Sequence, residues 1–311
     1  MSLQIDHIRD LFSDLTPIPQ DDGPEPVVAI QYPADFVAAM DIFRAVLKAK
    51  EFSQRSLLLS EHIIRINSAN YTAWQFRRQT IDALGGDWLA ELKLCNSIAE
   101  SSSKNYQLWC HRRESVKRLR DPSRELSHTA EVFAEDPKNY HAWGHRQWVI
   151  EEFNLWEGEL EYIEELLVQD PYNNSAWNQR WFAVTRNNSI PVWDDETIVQ
   201  REVEFAMKHL EKVVNNESPW NYIFGILEKV DFRKAAVDPV TVWTKSILEA
   251  NPKCRFAAAT LFELYEAAYL PERIDRTIEL SNLLETKVDT IRAKYWVWRR
   301  EQLPGKKADC Q

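Results

Sequence analysis

Apolar residues recur at helical spacing in long stretches of this chain. Residues 155–169 carry one such set, made of Leu160, Ile163, Leu166 and Leu167. A comparable stripe in residues 54–66 contains Leu57, Leu58, Ile63 and Ile64. Because spacings of three and four place side chains on one face of an α-helix, both stretches predict amphipathic helices. Each helix then needs a partner to cover its apolar face.

A motif of the form Asn-Tyr-x-x-Trp-x-x-Arg recurs between these stretches. Its copies occupy residues 70–78, 105–113, 139–146 and 173–180, with Asn174 in the tyrosine place of the fourth. Their tryptophans, Trp74, Trp109, Trp143 and Trp177, are 35, 34 and 34 residues apart. A fixed period near ~34 residues is typical of stacked helical hairpins. We therefore predict an all-α, right-handed superhelical solenoid (a crescent) of tetratricopeptide-like hairpins.

Each position of the motif has a structural interpretation. Asparagine is a good helix N-cap, and tyrosine, tryptophan and arginine then share a broad helix face. Proline after Asp136, Asp170 and Asn251 predicts the end of the preceding helix. We expect the four tryptophans in the core. The arginines Arg77, Arg112, Arg146 and Arg180 fit either ion pairs and carbonyl contacts between repeats or a partner interface.

Weaker copies continue toward the C-terminus. Residues 218–222 keep a tryptophan, Trp220, but have Ile223 where arginine is expected, and residues 251–256 keep only the loop. In residues 295–300, either Trp296 or Trp298 can take the motif place, since the tyrosine and arginine spacings cannot both be matched. Terminal repeats commonly diverge in this way.

The chain is predicted to have three parts. Residues 16–26 contain four prolines, which favours an extended N-terminal arm over residues 1–35. A single helical-repeat domain follows over 36–303, and a short tail over 304–311.

Composition narrows the class of protein. Seven glycines in 311 residues argue against a sheet-rich fold, and a formal charge of −10 argues against a nucleic-acid partner. We expect no membrane span, because no apolar run approaches ~18 residues. The four cysteines, Cys95, Cys110, Cys254 and Cys310, show no paired metal-binding spacing. A cytoplasmic protein with reduced thiols is the expectation.

The chemical candidates lie in the first turns of the motif helices. His141 and His145 could share a helix face as metal ligands do, but no third ligand accompanies them. His145 occupies a repeat position and is predicted to be structural, whereas His141 lies where the copies differ. Lysine precedes the cap in two copies, as Lys104 and Lys138. Because helix N-termini favour anions, adjacent turns could form an anion site, although lysines on a solvated loop remain an alternative.

The repeat resembles that of the protein prenyltransferase α-subunit family. Stretches similar to the α subunit shared by farnesyltransferase and type I geranylgeranyltransferase are DGPEPVV at 22–28, FRAVL at 43–47, LRDPS at 119–123, NYHAW at 139–143, NNS at 173–175 and DTIR at 289–292. The α subunit of the Rab-specific geranylgeranyltransferase shares the repeat and is one alternative. A non-catalytic tetratricopeptide-like scaffold that binds a peptide is another.

The resemblance implies an enzyme that acts only as a heterodimer with an obligate β subunit. It would transfer farnesyl or geranylgeranyl from its diphosphate to the cysteine of a C-terminal Cys-a-a-X (CaaX) sequence. Zinc would be bound by the β subunit, and magnesium would support farnesyl transfer. Lys104 would contact the leaving diphosphate, with Tyr140 and His141 nearby. Gln107 would bind the carboxylate of the acceptor peptide, and Tyr106 would line the pocket.

Overall fold

The computed structural model describes residues 5–187, 192–267 and 273–303, and these contain helices and no β-strand. The predicted all-α fold of repeated hairpins is confirmed. The predicted tail, residues 304–311, lies outside the described residues.

The chain divides into two compact units, which meet in sequence between Asn154 and Leu155. The helices of the first unit are α1 (Ile5–Leu11), α2 (Ala34–Ala49), α3 (Gln54–Ile66), α4 (Tyr71–Leu84), α5 (Trp88–Ser102), α6 (Tyr106–Leu119), α7 (Glu125–Glu135) and α8 (Tyr140–Phe153). Helices α3 and α4, α5 and α6, and α7 and α8 pack as successive antiparallel hairpins. The motif tryptophan always lies on the second helix of its hairpin.

The second unit is built in the same way. Its helices are α9 (Glu159–Gln169), α10 (Asn174–Arg186), α11 (Glu196–Lys212), α12 (Glu217–Lys229), α13 (Lys234–Ala250), α14 (Arg255–Ala267), α15 (Ile274–Leu283) and α16 (Ala293–Gln302). Pairs α9–α10, α11–α12, α13–α14 and α15–α16 pack together. None of the helices described in either unit is long and apolar enough to cross a membrane.

The predicted helix ends are confirmed. Asn70, Asn105, Asn139 and Asn173 cap α4, α6, α8 and α10 by accepting hydrogen bonds from first-turn amides. Helices α7, α9 and α13 end immediately before Asp136, Asp170 and Asn251, each of which precedes a proline.

The motif tryptophans are buried as predicted, and each is held by the same hydrogen bond. The indole N–H donates to the carbonyl six residues earlier, at 2.8 Å for Trp74, 2.7 Å for Trp109, 2.9 Å for Trp143, 3.3 Å for Trp177 and 2.9 Å for Trp220. A buried indole needs such a partner, because an unpaired donor in the core costs free energy. The weaker copy at Trp220 therefore keeps the full local geometry.

The apolar stripe predicted for residues 54–66 is correct except at one position. Leu58 is 39% exposed, whereas Leu59, Ile63 and Ile64 are fully buried. The buried face of α3 thus includes Leu59 in place of Leu58, since neighbouring helix positions point roughly 100° apart.

The proline-rich segment forms neither helix nor strand over residues 16–26. It contacts α2, where the Ile18 amide donates to the Asp41 carbonyl at 3.0 Å and Arg44 donates to Gln20 at 2.8 Å. Helix α1 lies within the predicted arm. Its Ile8, and Phe12 just after the helix, are buried in a hydrophobic cluster with residues of α2, α3 and α4.

Candidate active site

The motif arginines form buried ion pairs with glutamates of the following helix. The pairs are Arg77–Glu91 at 2.7 and 2.8 Å, Arg112–Glu125 at 2.7 Å twice, and Arg180–Glu202 at 2.7 and 3.0 Å. Arg77 and Arg146 also donate to the carbonyls of Leu57 and Leu126, at 2.8 and 2.9 Å. Each pair joins one repeat to the next, which confirms the interpretation of these arginines as contacts between repeats.

Each of these glutamates, and Glu159 in the equivalent position, contacts a second side chain from its own hairpin. That side chain belongs to the residue two positions after the motif tryptophan. These contacts are His111–Glu91 at 2.8 Å, His145–Glu125 at 2.6 Å, Gln179–Glu159 at 2.7 Å and Tyr222–Glu202 at 2.7 Å. His145 is therefore a structural residue, as predicted. Its ring and that of His141 have different partners, so the two histidines do not act as a pair.

The electrostatics of this network fix its protonation state. Burial raises the pKa of Glu91, but hydrogen bonds from His111 and Arg77 outweigh it and lower the pKa to about 2. Burial also raises the pKa of Glu125, but hydrogen bonds from His145 and Arg112 outweigh it and lower the pKa to about 2. Burial lowers the pKa of His111 and of His145. Because an ionised carboxylate only accepts, the Nε2 atom of each neutral histidine carries the proton.

The first turns of α6 and α8 present a different, solvent-facing set of groups. The Tyr106 and Tyr140 side chains are 69% and 79% exposed. The His141 ring contacts both, with centroid separations of 5.4 Å to Tyr106 and 5.6 Å to Tyr140, each edge to face. The two turns therefore lie side by side within the first unit.

Lys104 and Gln107 complete this group. Lys104 precedes the α6 cap, and its Nζ lies 3.0 Å from the Asp136 carboxylate in the turn before α8. The backbone N–H of Gln107 donates to the Asn105 side chain at 2.8 Å. The Gln107 side chain is half-buried. Asn139, the α8 cap, donates to the Ser103 carbonyl at 3.3 Å and so ties the two turns together.

This arrangement suits an anionic ligand. An exposed ammonium, two phenol hydroxyls, an imidazole and a side-chain amide lie next to two helix N-termini, whose dipoles favour negative charge. In the part of the chain that the structure describes, no group of three or more His, Cys, Asp or Glu residues is placed to hold a metal ion. The chemistry of these first-turn groups is thus suited to an anion.

The structure also identifies repeat residues in the weaker copies. Asn216 caps α12 by accepting the Ser218 backbone N–H at 3.2 Å, and it lies four residues before Trp220, at the cap position of the motif. In the last copy, Trp296 is the buried tryptophan and Trp298 is 53% exposed, and Arg299 pairs with Glu263 and Glu266. Trp296, which lies three residues before Arg299, is therefore the motif tryptophan of that copy.

The fold defines a helical-repeat protein, and sequence comparison specifies its class. A family model described as protein prenyltransferase alpha subunit repeat matches residues 53–84, 88–119, 122–153 and 156–187. These ranges coincide with the α3–α4, α5–α6, α7–α8 and α9–α10 hairpins.

Curated relatives and a solved structure agree. The chain is 39% identical to the protein farnesyltransferase/geranylgeranyltransferase type-1 subunit alpha of Pisum sativum, over 96% of this chain and 94% of that protein. Identity to the protein of the same name from Dictyostelium discoideum is 35%, over 93% and 91%. The structure of Candida albicans protein geranylgeranyltransferase-I complexed with GGPP matches with a TM-score of 0.84 at 27% identity, covering 94% of this chain and 98% of that one. The chain belongs to the protein prenyltransferase alpha-subunit family.

Proposed function

We propose that this protein is the α subunit of a heterodimeric protein prenyltransferase, which transfers farnesyl or geranylgeranyl from its diphosphate to the cysteine of CaaX proteins. The observation that carries the proposal is that two helix starts lie side by side. The Tyr106 ring contacts the His141 ring, and Lys104 reaches Asp136 in the turn before Tyr140. Membership of the family, and likeness to a geranylgeranyltransferase-I solved with GGPP, support it. The relatives named for the type-1 subunit favour this activity over the Rab-specific one.

In this reaction the cysteine sulfur of the acceptor forms a bond to C1 of the prenyl chain. The bond between C1 and the diphosphate oxygen breaks, the diphosphate leaves with the electron pair, and the thiol proton passes to solvent. Negative charge grows on the leaving oxygens, so donors placed there lower the barrier. Lys104 supplies an ammonium, and Tyr140 and His141 supply hydrogen bonds. These three are the proposed catalytic residues of this chain.

The acceptor peptide would lie against the first turn of α6. The Gln107 side-chain amide would donate to the C-terminal carboxylate of the CaaX sequence, and the exposed Tyr106 ring would line the pocket. A carboxylate near a helix N-terminus is favoured by the same dipole that favours the diphosphate.

The remaining parts of the site would come from an obligate β subunit. We place zinc there, where it would lower the pKa of the acceptor thiol. Magnesium would offset diphosphate charge in farnesyl transfer. The choice between farnesyl and geranylgeranyl would rest with the β chain. A cytoplasmic location is part of the proposal, supported by the free thiols of Cys95, Cys110 and Cys254.

Co-expression with a candidate β subunit tests this function. We expect a 1:1 complex that contains zinc and prenylates a CaaX peptide, and no activity from either chain alone. Lys104→Ala should lower the rate at saturating substrates roughly 10²-fold or more. Lys253→Ala, which removes an exposed lysine from a repeat turn of the second unit, is the control and should leave the rate unchanged.

Three outcomes would contradict the proposal in different ways. A stable monomer that binds peptides and forms no complex would favour a scaffold. A complex that prenylates only Rab proteins would favour the Rab-specific enzyme. Full activity of the Lys104→Ala complex would remove Lys104 from the catalytic residues.

A further inference from the structure

The ammonium of Lys104 already has an anionic neighbour. Its Nζ lies 3.0 Å from Oδ2 of Asp136, and the side chains of the pair are 76% and 31% exposed. The contact joins the start of α6 to the turn before α8, so it crosses the space between the two first turns. The interaction with Lys104 also lowers the pKa of Asp136, which keeps the carboxylate charged.

The carboxylate of Asp136 is held in place by its own turn. Its Oδ1 accepts the Lys138 amide N–H at 3.2 Å, and its backbone carbonyl accepts the Asn139 N–H at 3.1 Å. Its backbone N–H donates to the Val132 carbonyl at 2.9 Å. Asn139 in turn caps the helix that begins with Tyr140 and His141. Asp136 is therefore held in the same turn that positions Tyr140 and His141.

A charge at this position is not needed for the turn. Seven residues before the tryptophan, the first copy has Asn67, whose Oδ1 accepts the Ala69 amide at 3.1 Å. The second copy has Ser102 there, and the fourth has Asp170, whose Oδ1 accepts the Tyr172 amide at 2.9 Å. Since asparagine makes the same turn, the negative charge of Asp136 has a separate consequence, which is its pairing with Lys104.

Resting on the proposed function, we propose that Asp136 is a positioning residue that holds Lys104 in the ligand-free protein and must yield it to the diphosphate. An ion pair of this kind contributes little net free energy, because water competes for the largely exposed ammonium of Lys104. A diphosphate carries several negative charges and can displace a single carboxylate.

This exchange changes how Lys104 contributes to the reaction. Only interactions that are stronger in the transition state than in the bound substrate accelerate a reaction. Because Lys104 must give up Asp136 to bind the diphosphate, its contribution to substrate binding is reduced. As charge builds on the leaving oxygens, the diphosphate competes better for the ammonium. Asp136 thereby shifts the contribution of Lys104 toward the transition state, and it also eases release of the diphosphate product.

The test uses the complete heterodimer and inorganic pyrophosphate as the probe, by isothermal titration calorimetry at one fixed magnesium concentration. Asp136→Asn removes the charge and keeps the turn. We expect pyrophosphate to bind about two- to fivefold more tightly, the range set by the small value of an exposed ion pair. The KM for the prenyl diphosphate should fall by a similar factor, and kcat should not rise.

A double-mutant cycle separates the role of Asp136 from a general charge effect. In a Lys104→Ala background, the change Asp136→Asn should leave pyrophosphate affinity unchanged within error. Asp170→Asn removes the same charge from the equivalent turn of the next copy and serves as the matched control. It should alter neither pyrophosphate affinity nor KM. Equal thermal unfolding midpoints for Asp136→Asn and the unmodified complex would show that the turn is intact.

The outcomes distinguish this inference from the proposed function. If Lys104→Ala weakens pyrophosphate binding while Asp136→Asn has no effect, or the same effect in both backgrounds, the role of Asp136 is wrong and that of Lys104 stands. If Lys104→Ala changes neither pyrophosphate affinity nor rate, the proposed function of Lys104 fails first. Weaker pyrophosphate binding by Asp136→Asn would also overturn the inference.

Discussion

The first turn and the middle of a motif helix differ in what they demand of the sequence. In the middle of α8, Arg146 is buried and His145 is bound to Glu125, and the same places in α6 hold Arg112 and His111. One turn earlier, α8 exposes Tyr140 to solvent and leaves His141 half-buried. The buried middle repeats because neighbouring hairpins must fit together. At the start of the helix the second position varies, with Thr72, Gln107, His141 and Ser175 in the four copies, because no contact between hairpins fixes its residue type.

The comparison shows how one repeat supports both roles. The buried network uses arginine, glutamate and histidine, which are residue types typical of active sites, yet its groups are paired and closed to solvent. The first turns use the same kinds of groups in the open, beside two helix dipoles. Burial and pairing, rather than residue type, separate the structural histidine from the proposed catalytic one.

The largest expected effect comes from breaking the buried network. Arg112→Ala would leave Glu125 as a buried charge with only His145 bound to it. We expect the free energy of unfolding to fall by about 3–5 kcal/mol, the usual cost of removing one partner of a buried ion pair. Arg113→Ala, which removes an exposed arginine stacked on Trp148, should cost about 1 kcal/mol or less. Urea denaturation measures both, and equal losses would contradict the buried role.

Acid should weaken the same network. The folded-state pKa values of Glu91 and Glu125 lie near 2, so their contribution is complete above about pH 4.5 and is lost as the pH falls toward 2. Burial lowers the pKa values of His111 and His145 below 6.5, so the unfolded chain takes up protons first. Stability should therefore begin to fall below about pH 6.5 and fall more steeply below 4.5. Thermal unfolding between pH 7.5 and 3 would follow both steps.

One substitution isolates the histidine step of this pH dependence. Gln179 takes the place of His145 in the next copy and donates to Glu159 at 2.7 Å. His145→Gln should thus keep a hydrogen bond to Glu125 and make the fall between pH 6.5 and 4.5 shallower. An unchanged slope would show that folding does not lower the pKa of His145.

A smaller effect is expected where the network loses one hydroxyl. Tyr222 donates to Glu202 at 2.7 Å, and Glu202 keeps its contacts with Arg180 and Arg201 in Tyr222→Phe. We expect a loss of about 1–3 kcal/mol, the range for a buried hydrogen bond to a charged group. Tyr71→Phe alters an exposed tyrosine at the start of α4 and should be neutral. Equal denaturation midpoints for the two variants would contradict this prediction.

The smallest effect on stability is expected at the first turn itself. Tyr140→Phe should change the free energy of unfolding by no more than about 0.5 kcal/mol, because the side chain is exposed. The prenyl-transfer rate of the heterodimer should nevertheless fall roughly 10- to 100-fold, as expected for one hydrogen bond to a charged group. A loss of stability with an unchanged prenyl-transfer rate would instead make Tyr140 a structural residue and contradict its proposed catalytic role.

The sequence predicts the repeated part of the structure well. Period, caps and proline positions follow from local rules, so the tryptophans, the asparagine caps and the helix ends at Asp136 and Asp170 were predicted correctly. The structural role of His145 could also be predicted, because its position recurs in every copy. Its hydrogen bond to Glu125 confirms that role.

The rest depends on contacts between different helices. Glu91, Glu125 and Glu202 follow their arginines by 14, 13 and 22 residues, so no fixed spacing marks them. Asp136 looked like an ordinary helix end until the structure placed it against Lys104. Asn216 could have been found by counting four residues back from Trp220. The roles of Lys104, Tyr106, Gln107, Tyr140 and His141 toward substrate remain predictions for the experiments above.

The buried carboxylates also define where this chain can be cut and rejoined. The network of Glu91 spans residues 77 to 111, and that of Glu125 spans residues 112 to 145. These spans meet inside α6, between His111 and Arg112, and not in a loop. In a chimera with a relative, a junction at any loop within residues 77–145 would separate the partners of one of these two networks between two parents. In a chimera joined between His111 and Arg112, Glu91 and Glu125 each keep all their partners from a single parent. The exchangeable segment therefore runs from the middle of one motif helix to the middle of the next.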